Sequence, residues 1–180
     1  MQINIEILIG WDQAYREALQ TVGQSWEGQM PSDKWKKKIL LAEHSPIRAT
    51  EYRIEYVDIQ SWVVTHLVRH TAGIKHFVKT QRTDRTGINR DELPQGSLIS
   101  YSLRLNAQSF INISRKRLCS CASRETRQTW EATIDELRKI DPILASVCVP
   151  DCLYRGSCYE LKTCGKINNL QKELLDYRTT

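Results

Sequence analysis

The sequence predicts an α+β fold in one domain, with a small, mainly antiparallel sheet packed against several helices. Segments that alternate apolar and polar residues occur beside segments with apolar residues at helical spacing. They do not follow the strand–helix–strand order of a parallel sheet. The 180 residues suffice for one substantial core, and no internal repeat or low-complexity linker divides the chain.

Three segments predict strands. In residues 3–9, Ile3, Ile5 and Ile7 alternate with polar residues, as in a half-buried strand. Residues 52–57 are rich in β-branched and aromatic residues, and residues 97–105 place their larger side chains, Leu98, Tyr101 and Leu103, along a third strand.

The predicted helices have apolar stripes at 3.6-residue spacing and cover residues 11–22, 32–41, 59–70, 107–118, 123–140 and 170–177. Gly23 ends the first helix, Ser32 or Asp33 caps the second, and Asp141-Pro142 ends the fifth. Residues 73–94 predict a polar loop, residues 148–165 a cysteine-rich segment, and residues 166–180 a terminal helical region.

Composition favours a globular protein, with 41% hydrophobic and 26% charged residues. The net charge of +5 suits phosphate-bearing ligands and equally a solvated basic surface. No apolar run approaches the roughly 18 residues of a membrane span. The first strand lacks a basic leader and a cleavage site, so we expect a cytoplasmic protein with reduced cysteines.

The first segment with candidate ligand-binding residues runs from Arg69 to Arg82. An Arg69-His70 pair at a helix end enters a glycine-containing loop that closes on Thr80-Gln81-Arg82. Guanidinium groups bind phosphate bidentately, and loop N–H groups with a hydroxyl complete an anion site. The segment predicts either a phosphate or nucleotide site or a solvated basic loop.

The second segment runs from Asn106 to Arg117. It places two asparagines and Gln108 on a helix that also has an apolar stripe, where unpaired amides are costly. An amide matches the donor–acceptor edge of a flavin or pyrimidine ring. The alternative is helix capping by Asn106 together with a solvated basic face.

Together the two segments resemble the flavin-dependent thymidylate synthase family. Its Arg-His-Arg motif and following Ser-x-Arg are similar to Arg69-His70-Thr71 and Thr80-Gln81-Arg82. Its Asn-Ala-Arg-Ser helix, with a second Asn and an Arg, resembles Asn106-Ala107-Gln108-Ser109, Asn112 and Arg117. The turn His44-Ser45-Pro46 and the strand and helix before Arg69 also match, so the resemblance covers roughly residues 40–130.

The resemblance implies a ThyX-like fold and the reductive methylation of dUMP to dTMP. Methylenetetrahydrofolate is then the carbon donor, reduced FAD supplies the hydride, and NADPH reduces the flavin. It also implies a homotetramer with active sites shared between subunits. One alternative is a flavin- and folate-dependent enzyme that modifies another pyrimidine nucleotide. The other is a non-catalytic descendant of the family that is stabilised by a bound metal and binds nucleic acid. No recognised finger or helix-turn-helix spacing supports the latter.

By position, the resemblance assigns a role to each residue that matches a motif. The flavin-facing residues are Ser45, Arg69, His70, Thr71, Asn106 and Asn112. Lys79, Thr80, Gln81 and Arg82 hold the nucleotide phosphate, with His66 and Arg69 nearby. Arg117 is the catalytic residue at the uracil edge, where its positive charge polarises the ring.

The chain also departs from the family's pattern. Thr71 stands in place of the motif's second arginine, and residues 83–105 are shorter than expected and lack another phosphate-binding arginine. Arg85, Arg90 and Arg104 are candidates for that function.

Six cysteines form the last feature, and the family does not generally have it. Cys152, Cys158 and Cys164 recur in a polar segment, and with Cys119 or Cys121 they predict a zinc site or an iron–sulfur anchor; free thiols are the alternative. Cys148 is expected to be buried. His66 and His70 share a helix face, but no third ligand accompanies them, which favours packing or flavin contact over metal.

Overall fold

The computed structural model describes residues 1–179, in which one antiparallel sheet is covered by helices. Its four strands, in the spatial order β1-β2-β4-β3, are β1 (Gln2–Ile9), β2 (Glu51–Gln60), β3 (Ile74–Val78) and β4 (Leu98–Leu105). All neighbouring strands pair antiparallel. The predicted α+β class with a small antiparallel sheet is therefore confirmed.

The helices are α1 (Trp11–Thr21), α2 (Asp33–Leu41), α3 (Ser61–Leu67), α4 (Thr83–Thr86), α5 (Ala107–Arg117), α6 (Arg124–Ile140), α7 (Pro142–Val147), α8 (Asp151–Arg155) and α9 (Gln171–Thr179). Short 3-10 turns span Ser45–Ala49, Arg90–Glu92 and Lys166–Asn169. Hydroxyl and amide side chains begin several helices, because an Ncap oxygen accepts from an otherwise unpaired N–H group. Ser32 caps α2, Asn106 caps α5 and Ser123 caps α6.

Strand alternation places the core on one face of the sheet. Tyr52, Ile54 and Tyr56 of β2 are fully buried and lie opposite Leu105, Leu103 and Tyr101 of β4. Helices α5 and α6 supply Phe110 and Trp130 to the same core. This packing fixes α5 against the sheet, and α5 is the helix that carries Asn112 and Arg117.

A buried carboxylate ties the helical layer to the sheet. Asp141 accepts hydrogen bonds from Trp11 Nε1 and from the Tyr52 hydroxyl, both at 2.6 Å, and its other oxygen caps α7 at Leu144. Burial and the neighbouring Asp141 raise the pKa of Tyr52 far above its ordinary value. Tyr52 therefore stays a neutral donor.

The structure corrects several predicted elements. Residues 74–78 form strand β3 inside the predicted 73–94 loop. Helix α3 spans only residues 61–67, because β2 continues to residue 60 after a bulge at Asp58, whose φ is +61°. Helices α7 and α8 were not predicted. In the predicted 166–180 region the helix covers residues 171–179, and Thr180 lies outside the described residues.

Among residues 1–179, no helix is both long and apolar enough to cross a lipid bilayer.

Candidate active site

Arg117 joins the two predicted segments. Its Nε donates to His70 Nε2 at 2.9 Å, and its Nη2 donates to the His66 carbonyl at 2.6 Å. Arg117 lies at the end of α5, whereas His66 and His70 lie within and just after α3. The end of α3 and the end of α5 therefore meet as the resemblance implied.

Burial and the contact with Arg117 together set the protonation of His70. A guanidinium only donates, so His70 Nε2 accepts and the neutral ring carries its proton on Nδ1. Burial, Arg117 and His76 lower the pKa of His70 from 6.5 to about 4. Near neutral pH, His70 is therefore an uncharged hydrogen-bond acceptor for Arg117.

A second histidine holds the backbone of His70. His76 Nε2 lies 2.7 Å from the His70 carbonyl, and His76 Nδ1 lies 2.6 Å from the Tyr101 hydroxyl. The carbonyl can only accept, so Nε2 donates to it, and in the neutral ring Nδ1 accepts from Tyr101. Burial raises the pKa of Tyr101 well above its ordinary value, which keeps this hydroxyl a donor. Neither His76 nor Tyr101 was predicted from the sequence as a site residue; Tyr101 was predicted only as part of a strand.

His66 is anchored from the opposite side by α6. Its Nδ1 lies 2.7 Å from the hydroxyl of Thr126, a buried residue in the first turn of α6. Burial, Arg117 and Arg69 lower the pKa of His66. Thr126 gave no sequence signal beyond its place near a helix cap.

Asn106 and Ser109 pack against the loop that follows His70. Asn106 Oδ1 caps α5 by accepting from the Ser109 N–H at 3.0 Å, and Ser109 Oγ donates to the Ala72 carbonyl at 2.9 Å. Gly73 has φ +70°, and a Cβ there would lie 2.8 Å from both Asn106 Nδ2 and Ser109 Oγ. Asn106 therefore caps α5, as the alternative interpretation of the sequence proposed. The same side chain also packs against the loop that follows His70.

A cleft of about 270 Å³ lies between this loop and α5, and we call it the central cleft. It is lined by Arg69, His70, Thr71, Ala72, Ile74, Ser109, Asn112 and Ile113. This lining includes no carboxylate. Arg69 is exposed here. Arg117 does not line the cleft but is held beside it by His70, and burial and then Arg69 lower its pKa. The two guanidiniums give this region positive charge.

A second, adjoining cleft of about 490 Å³ lies at the β3 side of the sheet, and we call it the edge cleft. Thr71 and Ile74 line both clefts, and Arg48, Lys75, Arg104 and Asn106 also line the edge cleft. Glu51 lies 3.4 Å from both Lys75 and Arg104. Arg104 Nε is buried and has no hydrogen-bond partner among the described residues.

Asn112 belongs to a network of polar side chains on α5. Its Oδ1 accepts from Gln108 Nε2 and from Arg115 Nη1, both at 3.3 Å. Gln108 and Arg115 also donate to Glu43, a residue with φ +51° before the 3-10 turn. Gln108 Oε1 is buried and unpartnered in the described chain.

Two groups of implied site residues lie away from the central cleft within one protomer. Residues 79–82 follow the far end of β3, and Arg82 is paired there with Asp84 at 2.8 and 2.9 Å. Ser45 is exposed and lines a separate groove against α1 and α2. Their roles in ligand binding stay predictions.

Among the candidates for the missing phosphate-binding arginine, only Arg104 lines either cleft. Arg85 and Arg90 are exposed and lie beside Asp84 and Asp91.

The cysteines divide into two groups. Cys148 is buried, and burial raises its pKa to about 12, which confirms the predicted core position. Cys119, Cys152, Cys158 and Cys164 line one small cavity at the end of α5. No three His, Cys, Asp or Glu side chains in the described part of the chain form a ready-made metal site.

Comparisons with known proteins identify the fold. Neither a protein-family model nor a curated protein sequence matches the chain. Flavin-dependent thymidylate synthase ThyX from Helicobacter pylori, solved with FAD and dUMP, is similar with a TM-score of 0.66 and 17% identity over 83% of this chain and 99% of that chain. A second structure of that enzyme with FAD and dUMP is similar with a TM-score of 0.63 and 15% identity, and the match covers 83% of this chain and 100% of that chain.

The UMP/dUMP methylase PolB from Streptomyces cacaoi, solved with 5-Br dUMP, is similar with a TM-score of 0.61 and 14% identity. The match covers 81% of this chain and 94% of that chain. At these identities the likeness establishes architecture. The chain therefore has a ThyX-like fold.

Proposed function

We propose that this protein is a flavin-dependent enzyme that methylates a pyrimidine nucleotide at C5, most simply dUMP to dTMP. Methylenetetrahydrofolate is the carbon donor, and NADPH reduces the flavin. UMP is the second candidate acceptor, because the similar PolB is a UMP/dUMP methylase. The proposal rests on the fold together with this chain's own cleft residues.

The observation that carries the proposal is a cleft lined by Arg69 and His70 and without a carboxylate in its lining, beside which His70 holds Arg117 at 2.9 Å. Arg69 and His70 come from one segment and Arg117 from the other, 47 positions after His70 in the sequence. A carboxylate-free pair of guanidiniums favours an anionic ligand such as a phosphate or an electron-rich ring. Helix packing and capping alone do not require this arrangement.

The two adjoining clefts fit a flavin dinucleotide in chemical character. Arg104 Nε is a buried donor without a partner among the described residues, and it lies in the edge cleft with Arg48 and Lys75, a basic set that favours phosphate. Glu51 also lines this cleft and neutralises part of that charge, 3.4 Å from Lys75 and from Arg104. Asn112 and Asn106 provide amides for the polar edge of the ring. FAD, when bound, supplies the hydride that a reductive methylation needs.

Arg117 is the proposed electrostatic catalyst. Two of its five N–H donors are used by His70 and the His66 carbonyl, which leaves three for a ligand. Its fixed position lets it stabilise negative charge on the pyrimidine ring without reorganisation. Residues 79–82 of a neighbouring subunit are proposed to hold the nucleotide phosphate, in a homotetramer with shared sites.

The experiment is FAD binding to apoprotein, followed by flavin fluorescence. Wild type should bind one FAD per chain, and Arg104→Ala and Asn112→Ala should each weaken binding at least about 10-fold, the scale of one lost charge-assisted contact.

The matched control is Arg53→Ala. Arg53 pairs directly with Arg104 in the sheet register, but Glu6 and Glu55 already satisfy it at 3.2 and 3.1 Å, and it lines neither cleft. It should bind FAD as wild type does. Equal FAD affinity in all four proteins would remove the site assignment.

A further inference from the structure

Residues 150–170 fold back over the end of α5 without a hydrophobic core of their own. None of residues 151–169 is fully buried, and residues 156–165 contain neither helix nor strand. Ordering an irregular segment costs conformational entropy that buried apolar surface normally offsets. Another interaction must therefore offset the entropy lost when this segment folds.

The contacts that hold the segment are mainly polar. Lys116 Nζ lies 3.5 Å from Glu160 and 3.9 Å from Asp151. Lys116 is exposed, so solvent screens these ion pairs and they contribute little. The Arg115 guanidinium lies 3.5 Å from the centre of the Tyr154 ring, but this contact holds α8 and not the irregular residues 156–165.

A small, largely enclosed cavity of about 20 Å³ lies between the segment and the end of α5. Four of the six cysteines line it: Cys119, Cys152, Cys158 and Cys164. None of the four is fully buried, so hydrophobic packing does not account for them.

The remaining two cysteines do not line this cavity. Cys121 is next to it: its N–H donates to Cys119 Sγ at 3.5 Å, but its exposed thiol donates to the Lys162 carbonyl at 3.4 Å. Cys148 is buried in the main core at the end of α7. The structure thus selects Cys119 rather than Cys121 as the partner of the three tail thiols.

We propose that Cys119, Cys152, Cys158 and Cys164 bind a single zinc ion. Four thiols satisfy the tetrahedral preference of zinc, with Zn–S bonds of about 2.3 Å. Each thiol releases its proton to solvent as its sulfur bonds the ion, and no group is oxidised or reduced. The inference is independent of the proposed enzymatic function.

The size of the cavity favours one ion over an iron–sulfur cluster. A space of about 20 Å³ holds roughly one water-sized sphere. A cluster of several irons and sulfides is much larger than that.

The sulfur atoms do not yet converge on one point, so metal binding is coupled to closure of the segment. Cys152 lies in α8 and Cys119 follows the end of α5 by two residues, whereas Cys158 and Cys164 lie on irregular chain that can adjust. Asp151 and Glu160 also line the cavity, and Lys116 pairs with both of them, while Lys166 adds a positive charge to the lining. Closure fixes Cys119, two residues after Arg117.

The test uses the full chain, reduced and loaded with zinc or with cobalt. We expect one zinc per chain by elemental analysis, and a cobalt spectrum with the intense visible bands of a tetrahedral tetrathiolate. Substituting any of the four ligands by serine should weaken or shift that spectrum. Cys121→Ser and Cys148→Ala are the matched controls and should leave it unchanged.

Limited proteolysis gives a second readout. Metal should protect bonds within residues 156–165, and a chelator should restore cleavage. Three results would overturn the proposal: no tetrahedral cobalt spectrum from reduced wild type, an equal loss in Cys121→Ser, or disulfides between the four cysteines in protein isolated without reductant and metal. FAD binding in the same samples reports separately on the enzymatic proposal.

Discussion

The acceptor that orients Arg117 is a neutral histidine. A carboxylate in that position would orient the guanidinium and also cancel its charge, whereas His70 orients it and leaves the charge available. His76 in turn holds the His70 carbonyl through a hydrogen bond of 2.7 Å. These contacts hold the Arg117 guanidinium in a fixed position and leave its charge available to an anionic ligand.

The protonation of His70 gives a prediction on pH. Its pKa is about 4 in the folded protein and 6.5 when unperturbed, so below pH 6.5 the unfolded chain binds a proton that folded His70 does not. Stability should be fully present above pH 6.5 and fall as the pH drops from 6.5 toward 4. An NMR titration of the imidazole should give a midpoint near 4.

His70→Gln is the control for this titration, because the variant removes the ionisable ring. The dependence of unfolding free energy on pH between 6.5 and 4 should become shallower in the variant. A His70 midpoint at or above 6.5 would show that the ring is not held neutral by Arg117.

At the scale of elements, the loop after α3 is held in place by the cap of α5. Gly73 has φ +70° and lies against Asn106 and Ser109, both of which are fixed by hydrogen bonds of 3.0 Å or less. The cap of one helix therefore also positions the loop that contains Thr71, which lines both clefts.

Gly73→Ala tests this coupling. The left-handed conformation costs an alanine about 1–2 kcal/mol, and displacing the Asn106 cap costs roughly 1 kcal/mol more. Gly87→Ala is the matched control, because Gly87 has φ +71° but a Cβ there meets no atom within 4 Å. In a denaturant titration, Gly87→Ala should lower the free energy of unfolding only by the conformational cost. Equal losses in both variants would mean that the contact with the cap is unimportant.

The sequence predicted the elements whose pattern is strong and local. Helices α5 and α6 have clear stripes and caps, and their limits were correct to within one residue. The alternation in β2 identified the strand, but β2 continues three residues beyond the predicted end at residue 57. Strand β3 was missed because it lies at the sheet edge with Phe77 and Val78 exposed, so its identity depends on pairing with β4. Local periodicity cannot report a distant partner.

The same limit applies to the candidate site. The motifs indicated that Arg69, His70 and Arg117 belong together, since each stands in a recognisable local pattern. Thr126 and Tyr101 were identified as supporting residues only from their hydrogen bonds in the folded structure. Each is an ordinary residue of a helix or strand, so no local signal marks it.

At the scale of the whole molecule, the implied nucleotide site is divided. Residues 79–82 are separated from the central cleft by the five residues of β3, roughly 17 Å of extended chain. Ser45 lies on another groove. If these residues act on one ligand with Asn112, they come from different copies of the chain.

Co-expression of two variants tests this division. Arg82→Ala and Asn112→Ala should each lose activity, and the mixed assembly should regain part of it, because some shared sites then contain neither substitution. Two copies of the same variant should stay inactive. A mixed assembly that forms by size exclusion but remains inactive would indicate that each chain holds a complete site.

Arg117→Lys separates catalysis from ligand binding. Lysine keeps a positive charge but lacks the planar fork, so it cannot hold His70, the His66 carbonyl and a ring acceptor together. The variant should bind FAD as wild type does and methylate the nucleotide roughly 10²-fold more slowly, the usual scale for one preorganised donor. Undiminished activity would contradict the assignment of Arg117.

Tritium release from C5-tritiated dUMP and UMP, with FAD, NADPH and methylenetetrahydrofolate supplied, tests the proposed methylation itself. Replacement of the C5 hydrogen by a carbon unit must release that tritium. We expect release by wild type from at least one of the two nucleotides, and much slower release by Arg117→Lys. Release from neither nucleotide, by protein that holds reducible FAD, would show that the protein methylates neither of them.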